Sequence, residues 1–229
     1  MRGISQHSYG AGIATESLQL TEFTYGKGGV VVIITAIQQQ VKRAGRYSVF
    51  VDGKYAFSLS ADALLHAGLV QGQELSQDEL TGWKKASQDD KALNLTLAYV
   101  ARRMRSEGEL RDYFRRKQYA PELVTQLLGR LREQHFVDDE EFAKRWVENR
   151  RLLKATSTKK LKLELRQKHI ADDIVRRVLA EDETDERAVL KELVDRKRKQ
   201  TRYQDDQKLI AYLARQGFNY DDIKSVLGS

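Results

Sequence analysis

The sequence predicts a mainly α-helical protein, with three tandem three-helix repeats in an elongated, curved array and a small antiparallel β-sheet plus helix module before them. Three observations predict this fold. Apolar residues recur every three or four positions from residue 90 almost to the end of the 229-residue chain, which contains a single proline. One spacing of apolar residues occurs three times in that part. Before it, an Asp-Gly pair separates two runs of aromatic and β-branched residues.

The chain begins with a segment of different composition. Residues 1–29 are rich in Gly, Ser and Thr and show no sustained periodicity, so we predict a disordered tail there. Residues 30–88 are predicted to form the small β/α module. Within it, both central residues of a type I′ turn need positive φ, which Asp52 and Gly53 tolerate. This pair therefore predicts a tight hairpin.

Two short helices are predicted to follow the hairpin. Ser60 is a capping residue and Gly68 suits the left-handed position after a helix, so the first helix lies between them. Ser76 and Glu79 have the spacing of a capping box at the start of the second helix, which we predict to end near Trp83. With the sheet, these helices make a module near the lower size limit for independent folding.

Three segments of the helical part share one spacing of apolar residues, with offsets of 51 and 48 residues. They start at Leu110, Leu161 and Leu209. In each copy a bulky residue follows the end of a helix by two positions and is predicted to pack in the core or to contact a neighbouring helix. These bulky residues are Tyr119, Ile170 and Phe218, with Phe136 at a similar turn.

A further helix opens shortly after each of these turns. The opening residues are Pro121, Asp172 and Asn219, all suited to the start of a helix. A helix also precedes each aligned pair. We therefore predict three-helix repeats at residues 91–137, 138–182 and 183–229, stacked on one another because each buries little surface alone.

The positive charge of the chain is confined to the helical part. Residues 1–90 hold eight Lys/Arg and nine Asp/Glu, whereas residues 91–229 hold 32 and 24, so the net charge of +7 comes from the second group. A basic region of this kind favours a polyanionic partner, either nucleic acid or an acidic protein surface. The alternative is a set of solvated helix faces that contact no partner.

Residues 134–170 are the most informative stretch. Asp138 and Glu141 are spaced as a capping box, so Asp138 is predicted to accept from the first turn of a helix while Glu141 reaches back. Phe142 and Trp146 share one face of this helix and are predicted to pack in the core rather than to stack on bases. Hydroxyl residues at 156–158 compete with the helical backbone and separate this helix from the next one.

The same stretch contains a strongly basic segment. Between positions 150 and 168 there are eight Lys/Arg and one acid. Lys159, Lys162 and Arg166 lie at i, i+3 and i+7 and form a stripe on one helix face. We predict that the basic residues of this segment bind a partner protein or DNA phosphates. They are Arg150, Arg151, Lys154, Lys159, Lys160, Lys162, Arg166 and Lys168, joined by Arg102, Arg103 and Arg105 of the first repeat.

Catalytic and metal-binding motifs are missing from the sequence. It has no cysteine, which excludes disulfides, a thiol nucleophile and cysteine-bound metal. His135 precedes an acidic run but lacks a second ligand cluster, and residues 26–29 lack the spacing of a phosphate-binding loop. Acidic pairs such as Asp89-Asp90 are predicted to cap helices at joints. We therefore expect a protein that is not an enzyme and has no cofactor and no metal.

The longest apolar run near the N-terminus covers residues 30–34. A membrane span or the core of a signal peptide needs a longer run. We therefore expect a cytoplasmic protein with no membrane partner.

Three strings of the helical part are informative together: Arg103-x-Arg105-Ser106-x2-Glu109-Leu110, His135-Phe136-Val137-Asp138-Asp139-x2-Phe142-Ala143-x2-Trp146-x3-Arg150 and Leu161-x2-Glu164-Leu165-x2-Lys168-x-Ile170. Through these strings, residues 90–229 resemble the RecX family of recombination regulators. The sheet module is similar to the N-terminal extension that some members carry. His169 is a departure, because members usually have glycine before the isoleucine.

The resemblance implies tandem three-helix repeats and no known catalytic activity. It also implies binding to the RecA recombinase filament on single-stranded DNA, which limits filament growth, strand exchange and the co-protease role of RecA. We expect the chain to act as a monomer. The alternative is a helical repeat protein that binds single- or double-stranded DNA without sequence preference and without RecA. Its affinity for DNA would fall steeply with ionic strength.

Overall fold

The computed structural model describes residues 30–228, which fall into two compact units that divide after Leu95. The disordered tail predicted for residues 1–29 lies outside the described residues. The N-terminal unit contains β1 (Val31–Gln39), β2 (Arg46–Val51), β3 (Lys54–Ser60), α1 (Ala61–Ala67), β4 (Glu74–Ser76) and most of α2 (Gln77–Val100). The four strands form one sheet in the order β3-β2-β1-β4, and all neighbouring strands are antiparallel. The predicted sheet is therefore confirmed.

The β2–β3 hairpin has the predicted tight turn. Val51 pairs with Lys54, so the turn contains Asp52 and Gly53 alone. Their φ values are +48° and +72°, as a type I′ turn requires. The apolar faces of the strands form the core of this unit together with residues from the following loop and helices. The core includes Ile34, Val49, Phe57, Leu59, Leu75 and Leu80.

The predicted starts of both helices in this unit are confirmed, but the predicted end of the second helix is wrong. Ser76 and Glu79 form the capping box, with the Ser76 hydroxyl accepting from the Glu79 amide and the Glu79 carboxylate accepting from the Ser76 amide. From there α2 continues to Val100 instead of ending near Trp83. Asp89 and Asp90 consequently lie inside the helix and not at a joint.

The buried position of Asp90 explains this difference. Its carboxylate accepts hydrogen bonds from Arg46 Nη1 at 3.0 Å, from the Ser60 amide at 2.9 Å and from the Ser60 hydroxyl at 2.6 Å. Asp90 is thus an ion-pair partner inside the fold rather than a cap. Acidic pairs are typical of helix starts, and only the tertiary contact with Arg46 shows the other role.

The C-terminal unit is helical, as predicted. After the end of α2 it contains α3 (Glu107–Lys117), α4 (Pro121–Glu133), α5 (Asp139–Lys154), α6 (Thr158–Gln167), α7 (Asp172–Ala180), α8 (Glu186–Arg198), a 3₁₀ turn (Thr201–Tyr203), α9 (Asp206–Arg215) and α10 (Tyr220–Leu227). Pro121 and Asp172 open α4 and α7, and Asn219 caps α10. Asp138 caps α5 by accepting from the amides of Glu140 and Glu141.

The turn between the second and third helix is the same in each repeat. Gln118, His169 and Gly217 occupy equivalent positions and all have positive φ, of +56°, +59° and +92°. The next amide bonds back to the carbonyl five residues earlier, as in Ile170 to Leu165 and Phe218 to Leu213. This is the Schellman arrangement, which satisfies the last carbonyls of a helix. The structure therefore confirms the repeated turn.

Phe136 does not pack in the core, which is one of the two positions predicted for these bulky residues. Ile170 and Phe218 are buried, and Tyr119 is half-buried beside Phe114. Phe136 follows a Schellman turn too, because its amide bonds to the Leu131 carbonyl, but its side chain is 47% exposed. Its turn ends the third helix of a repeat rather than the second. The local sequence pattern is similar at both kinds of turn, and the neighbouring helices decide which residue is covered.

Successive repeats are joined by one recurring hydrogen bond. The hydroxyl of Ser106, which caps α3, donates to the Lys168 carbonyl at 2.8 Å. One repeat later, the hydroxyl of Ser157, which caps α6, donates to the Gln216 carbonyl at 2.6 Å. The third repeat has Asp205 as the equivalent cap of α9. A carboxylate has no hydroxyl to donate at neutral pH, so Asp205 differs from Ser106 and Ser157 in this respect.

Each joint also contains one close approach that requires a glycine. In the first joint, a Cβ atom on Gly108 would lie 2.3 Å from Cβ of His169. In the second, a Cβ atom on Gly217 would lie 2.6 Å from the Ser157 hydroxyl. The two glycines are on opposite sides of their joints: Gly108 lies on the helix that faces the turn at His169, whereas Gly217 lies in the turn that faces Ser157.

We expect Gly108→Ala to lower the free energy of unfolding by about 1–3 kcal/mol, because the added methyl group overlaps the His169 side chain and approaches the Lys168 carbonyl. The additional change His169→Gly removes that overlap and is expected to restore about half of the loss, since glycine also suits positive φ. Denaturant unfolding of both single variants and the double variant gives this coupling energy.

Gly129→Ala is the matched control, because nothing lies within 4 Å of the added Cβ in α4. It is expected to raise stability by about 0.5–1 kcal/mol through helix propensity. Equal effects of Gly108→Ala with histidine or glycine at position 169 would contradict the proposed overlap.

Candidate interface of the basic helices

Arg151, a predicted contact residue, connects helices within the chain through an ion pair and hydrogen bonds. Its guanidinium bonds to the Asp182 carboxylate at 2.7 and 2.9 Å, to the Thr156 carbonyl at 2.5 Å and to the Thr158 hydroxyl at 2.9 Å. The side chains of Arg151 and Asp182 are only 9% and 8% exposed. Burial acts to raise the Asp182 pKa, but hydrogen bonds from Thr184 and Arg151 outweigh it and the pKa is lowered. Arg151 thus ties the α5–α6 junction to the end of α7 and offers a partner little surface.

Trp146 lies beneath two further predicted contact residues. Its indole N–H donates to the Glu164 carboxylate at 2.9 Å, and the same carboxylate accepts from Arg150 Nε at 2.7 Å. The Arg150 guanidinium carbon lies 4.4 Å from the centre of the ring, and Lys168 Nζ lies 5.0 Å from it. The ring also packs against the core of the second repeat. The prediction that Trp146 is a packing residue is confirmed, although cations cover the ring as well.

An open groove of about 260 Å³ lies beside Trp146. Phe142, Trp146, Met104 and Leu153 give it apolar walls, and Arg103, Arg145, Asn149 and Arg150 give it polar ones. Each of its three guanidinium groups is paired: Arg103 with Glu109, Arg145 with Glu141 and Arg150 with Glu164. The positive charge of the groove is therefore largely balanced by these carboxylates. Glu141 binds Arg145 instead of reaching back to the helix start as predicted.

Glu109 binds two cations, Arg103 in its own repeat and Lys168 in the second repeat. Arg103 donates to both of its carboxylate oxygens at 2.9 Å, and Lys168 Nζ donates at 2.7 Å. Burial acts to raise the pKa of Glu109, but the hydrogen bonds from Arg103 and Lys168 and their charges lower it to about 2. The equivalent contact of the next joint is made by Lys160 and the Gln216 side chain. Arg103, Lys160 and Lys168 are thus joint residues.

The stability supplied by Glu109 is expected to depend on pH. Because its pKa is lower in the folded chain than in the unfolded chain, its contribution is complete above about pH 4.5 and is lost as the pH falls toward 2. Between pH 7 and pH 3 the parent should lose on the order of 1–2 kcal/mol more than Glu109→Gln, which cannot titrate. Denaturant unfolding at both pH values measures the difference. Identical losses in the two proteins would contradict the assignment.

The eleven predicted contact residues therefore divide into two groups. Seven are held by other groups of the chain: Arg103, Arg105, Arg150, Arg151, Lys160, Arg166 and Lys168. Arg166 pairs with Asp172 on the surface, and Arg105 lies over the Tyr99 ring at 4.0 Å. The other four make no ion pair or hydrogen bond through their side chains with any residue between 30 and 228. They are Arg102, Lys154, Lys159 and Lys162, and all four are exposed.

Exposed leucines accompany the free lysines, and the sequence analysis did not identify them. Leu152 and Leu153 in the last turn of α5 are 82% and 67% exposed, and Leu163 on α6 is 56% exposed. A signal for Leu163 was present in the sequence. It lies two positions from both Leu161 and Leu165, so it points away from the buried face that those residues define.

Comparison with protein-family models assigns the chain to one family. The N-terminal domain of regulatory protein RecX matches residues 32–76, and its first, second and third three-helix domains match residues 92–131, 138–179 and 184–227. Regulatory protein RecX of Bacillus subtilis is 30% identical over 199 residues, which cover 85% of this chain and 75% of the relative. The chain belongs to the RecX family. Its predicted fold and family resemblance are thereby confirmed.

Other members show the same similarity. Regulatory protein RecX of Lactobacillus johnsonii is 34% identical over 154 residues, which cover 67% of this chain and 56% of that relative. A crystal structure of regulatory protein RecX superposes with a TM-score of 0.67 at 27% identity, covering 86% of this chain and all of the other. Three of the four free cations, Lys154, Lys159 and Lys162, lie in the second three-helix domain of the RecX family.

Within residues 30–228, no group of three or more His, Asp or Glu side chains is arranged to hold a metal ion. None of the helices between these limits has the length and apolar character that crossing a membrane requires.

Proposed function

We propose that the chain is a non-enzymatic regulator, mainly an inhibitor, of the RecA recombinase. It binds the RecA filament on single-stranded DNA and limits filament growth, strand exchange and the co-protease activity of RecA, acting as a monomer in the cytoplasm. Membership of the RecX family supports this proposal. The structural observation that carries it is the set of exposed lysines in the second repeat, Lys154, Lys159 and Lys162, whose side chains form no salt bridge or hydrogen bond with residues 30–228.

The surroundings of these lysines favour a protein surface as their main contact. Exposed leucines lie on the same two helices, at positions 152, 153 and 163. Apolar side chains contribute to protein interfaces by leaving water, whereas phosphates offer them no contact. Free cations attract an acidic partner and orient its approach. Five of the other seven predicted contact residues are paired with carboxylates, so they provide less net charge to a partner.

The proposal is tested by adding the chain to RecA during DNA-dependent ATP hydrolysis and strand exchange, at substoichiometric and equimolar ratios. We expect both reactions to slow, because a filament that cannot extend contains fewer active subunits. Light scattering of the free chain should give the mass of one copy. Unchanged rates at both ratios would contradict the proposed function.

DNA binding without RecA is the alternative, and ionic strength distinguishes it. If the four free cations contact phosphates, the logarithm of the affinity for single-stranded DNA should fall with the logarithm of salt concentration with a slope of about −3, near −0.7 for each phosphate neutralised. Affinity for DNA alone that equals the affinity for the filament at each salt concentration would favour this alternative.

A further inference from the structure

The N-terminal unit contains a polar cleft that the proposed RecA contact does not use. It lies between the β1–β2 turn, strand β3 and helix α2 and has a volume of about 390 Å³. Four cationic residues line it, namely Arg43, Arg46, Lys84 and Lys91. No carboxylate is among the lining residues, although the N-terminal part of the chain is slightly acidic as a whole. Four of the seven Lys/Arg residues between positions 30 and 95 thus line one concave site.

One of the four cations is structural. Arg46 is buried and bonds through Nη1 to Asp90, through Nε to the Ser58 hydroxyl and through Nη2 to the Ser58 carbonyl. Its charge is therefore balanced by Asp90. Asp89, the preceding residue on α2, does not line the cleft.

The other three cations are available to a ligand. Arg43, Lys84 and Lys91 are exposed, and their side chains make no ion pair or hydrogen bond with the described residues. Lys84 and Lys91 are seven positions apart on α2, with Gln88 between them at i+4, so all three lie on one face of the helix. Arg43 approaches from the β1–β2 turn. Three free cations around one concave surface are the arrangement that binds phosphate groups.

An aromatic ring completes the cleft. Tyr55 on β3 lines it, is 59% exposed and is supported by an edge contact with Phe50 at 6.2 Å. Exposed rings beside basic side chains are typical of sites for single-stranded nucleic acid, because each base has a face that can stack. The remaining side chains are largely polar, including Gln40 and Gln88, so the cleft offers little to an apolar anchor of a peptide.

We propose that this cleft binds single-stranded nucleic acid, with backbone phosphates at Arg43, Lys84 and Lys91 and a base on the Tyr55 ring. The site lies entirely within residues 40–91 and is independent of the lysines proposed to contact RecA. Its failure and the failure of the proposed function can therefore be distinguished in an assay that contains no RecA.

The test measures binding of the full chain to a fluorescent oligothymidylate as a function of salt. We expect Arg43→Ala/Lys84→Ala/Lys91→Ala to weaken binding about tenfold and to reduce the salt slope by about 2. The control Lys42→Ala/Lys54→Ala/Lys85→Ala removes the same charge from residues of the same unit that do not line the cleft. It should change the affinity less than about twofold and leave the slope close to that of the parent.

A second measurement addresses the ring. Tyr55→Ala is expected to weaken binding about fivefold or more, and Tyr55→Phe to keep the parent affinity, because stacking needs the ring and not the hydroxyl. The parent should also cross-link to a bromouridine oligonucleotide through Tyr55.

Three outcomes would overturn the proposal. The first is equal loss of affinity in the cleft variant and the control. The second is an unchanged affinity in Tyr55→Ala. The third is displacement of the oligonucleotide by polyglutamate at matched charge, which would identify the cleft as a site for acidic protein instead. Unfolding curves of all variants show whether they keep the parent fold.

Discussion

Replacement of Arg151 by alanine is expected to lower the free energy of unfolding by about 3–5 kcal/mol, because it leaves the buried carboxylate of Asp182 without its partner. The same change removes hydrogen bonds to the Thr156 carbonyl and the Thr158 hydroxyl. Urea unfolding at pH 7, followed by circular dichroism, measures the effect. The ends of α5 and α7 should also become less protected from hydrogen exchange.

The pH dependence provides a second readout for Arg151. The Asp182 pKa is lowered in the folded chain, so the contribution of the pair is complete above the ordinary carboxyl range and disappears as the pH falls through the lowered pKa. The difference between the parent and Arg151→Ala should therefore shrink in acid.

Arg145→Ala is the matched control on the same helix. Arg145 also pairs with a carboxylate, Glu141, but both side chains are exposed, so the loss should be no more than about 1 kcal/mol. If Arg151→Ala and Arg145→Ala unfold at the same urea concentration, Arg151 does not cross-link the helices. Arg151 would then remain a candidate for direct contact with the partner.

The combined change Lys154→Ala/Lys159→Ala/Lys162→Ala is expected to weaken binding to RecA filaments about tenfold or more while stability changes by less than about 1 kcal/mol. All three side chains are exposed, and no acid between residues 30 and 228 binds them. Their removal therefore reduces the attraction to an acidic partner without disturbing the fold. Filament binding measured at two salt concentrations, together with inhibition of strand exchange, gives the effect.

A second triple variant, which removes the same number of positive charges from the third repeat, shows whether binding depends on a local contact or on net charge. Lys191, Lys199 and Arg215 of the third repeat are also exposed and free of ion pairs with the described residues. Their combined replacement by alanine should leave filament affinity within about threefold of the parent. Equal losses in the two variants would show that net charge, and not the surface of the second repeat, determines binding.

Arg166 is left out of this experiment for a structural reason. It belongs to the predicted stripe with Lys159 and Lys162, but its guanidinium bonds to Asp172 at 2.8 Å. Its replacement would remove a cation and release an acid at the same time. Lys154 is unpaired and therefore gives a clearer test.

Local patterns in the sequence predicted most of the fold. The turn at Asp52-Gly53, the cap at Asp138 and the repeated turn between helices each depend on residues within one or two helical turns. Where the predictions were wrong, residues distant in the sequence decided the outcome. Asp90 lies inside a helix and forms an ion pair with Arg46, which is 44 positions away. Phe136 is 47% exposed, because the helices around it leave its side chain largely open to solvent.

For the candidate site, the sequence identified a basic segment and the family, but it did not show which charges are free. Eight of the nine charged residues at positions 150–168 are cations, and their order along the chain does not distinguish paired cations from free ones. The acids that neutralise several of them come from elsewhere: Asp182 is 31 positions from Arg151, and Glu109 is 59 positions from Lys168. The exposed leucines beside the free lysines and the cleft around Tyr55 were missed for the same reason.

By itself, then, the sequence determined the helices, the hairpin and the three tandem repeats, because caps, turns and apolar periods act over a few residues. The resemblance of three sequence strings indicated the RecX family. The tertiary structure alone decided how the charge is used. Whether a cation stabilises a joint or remains free for a partner depends on which carboxylate the fold brings within about 3 Å of it, and the spacing of residues along a helix does not contain that information.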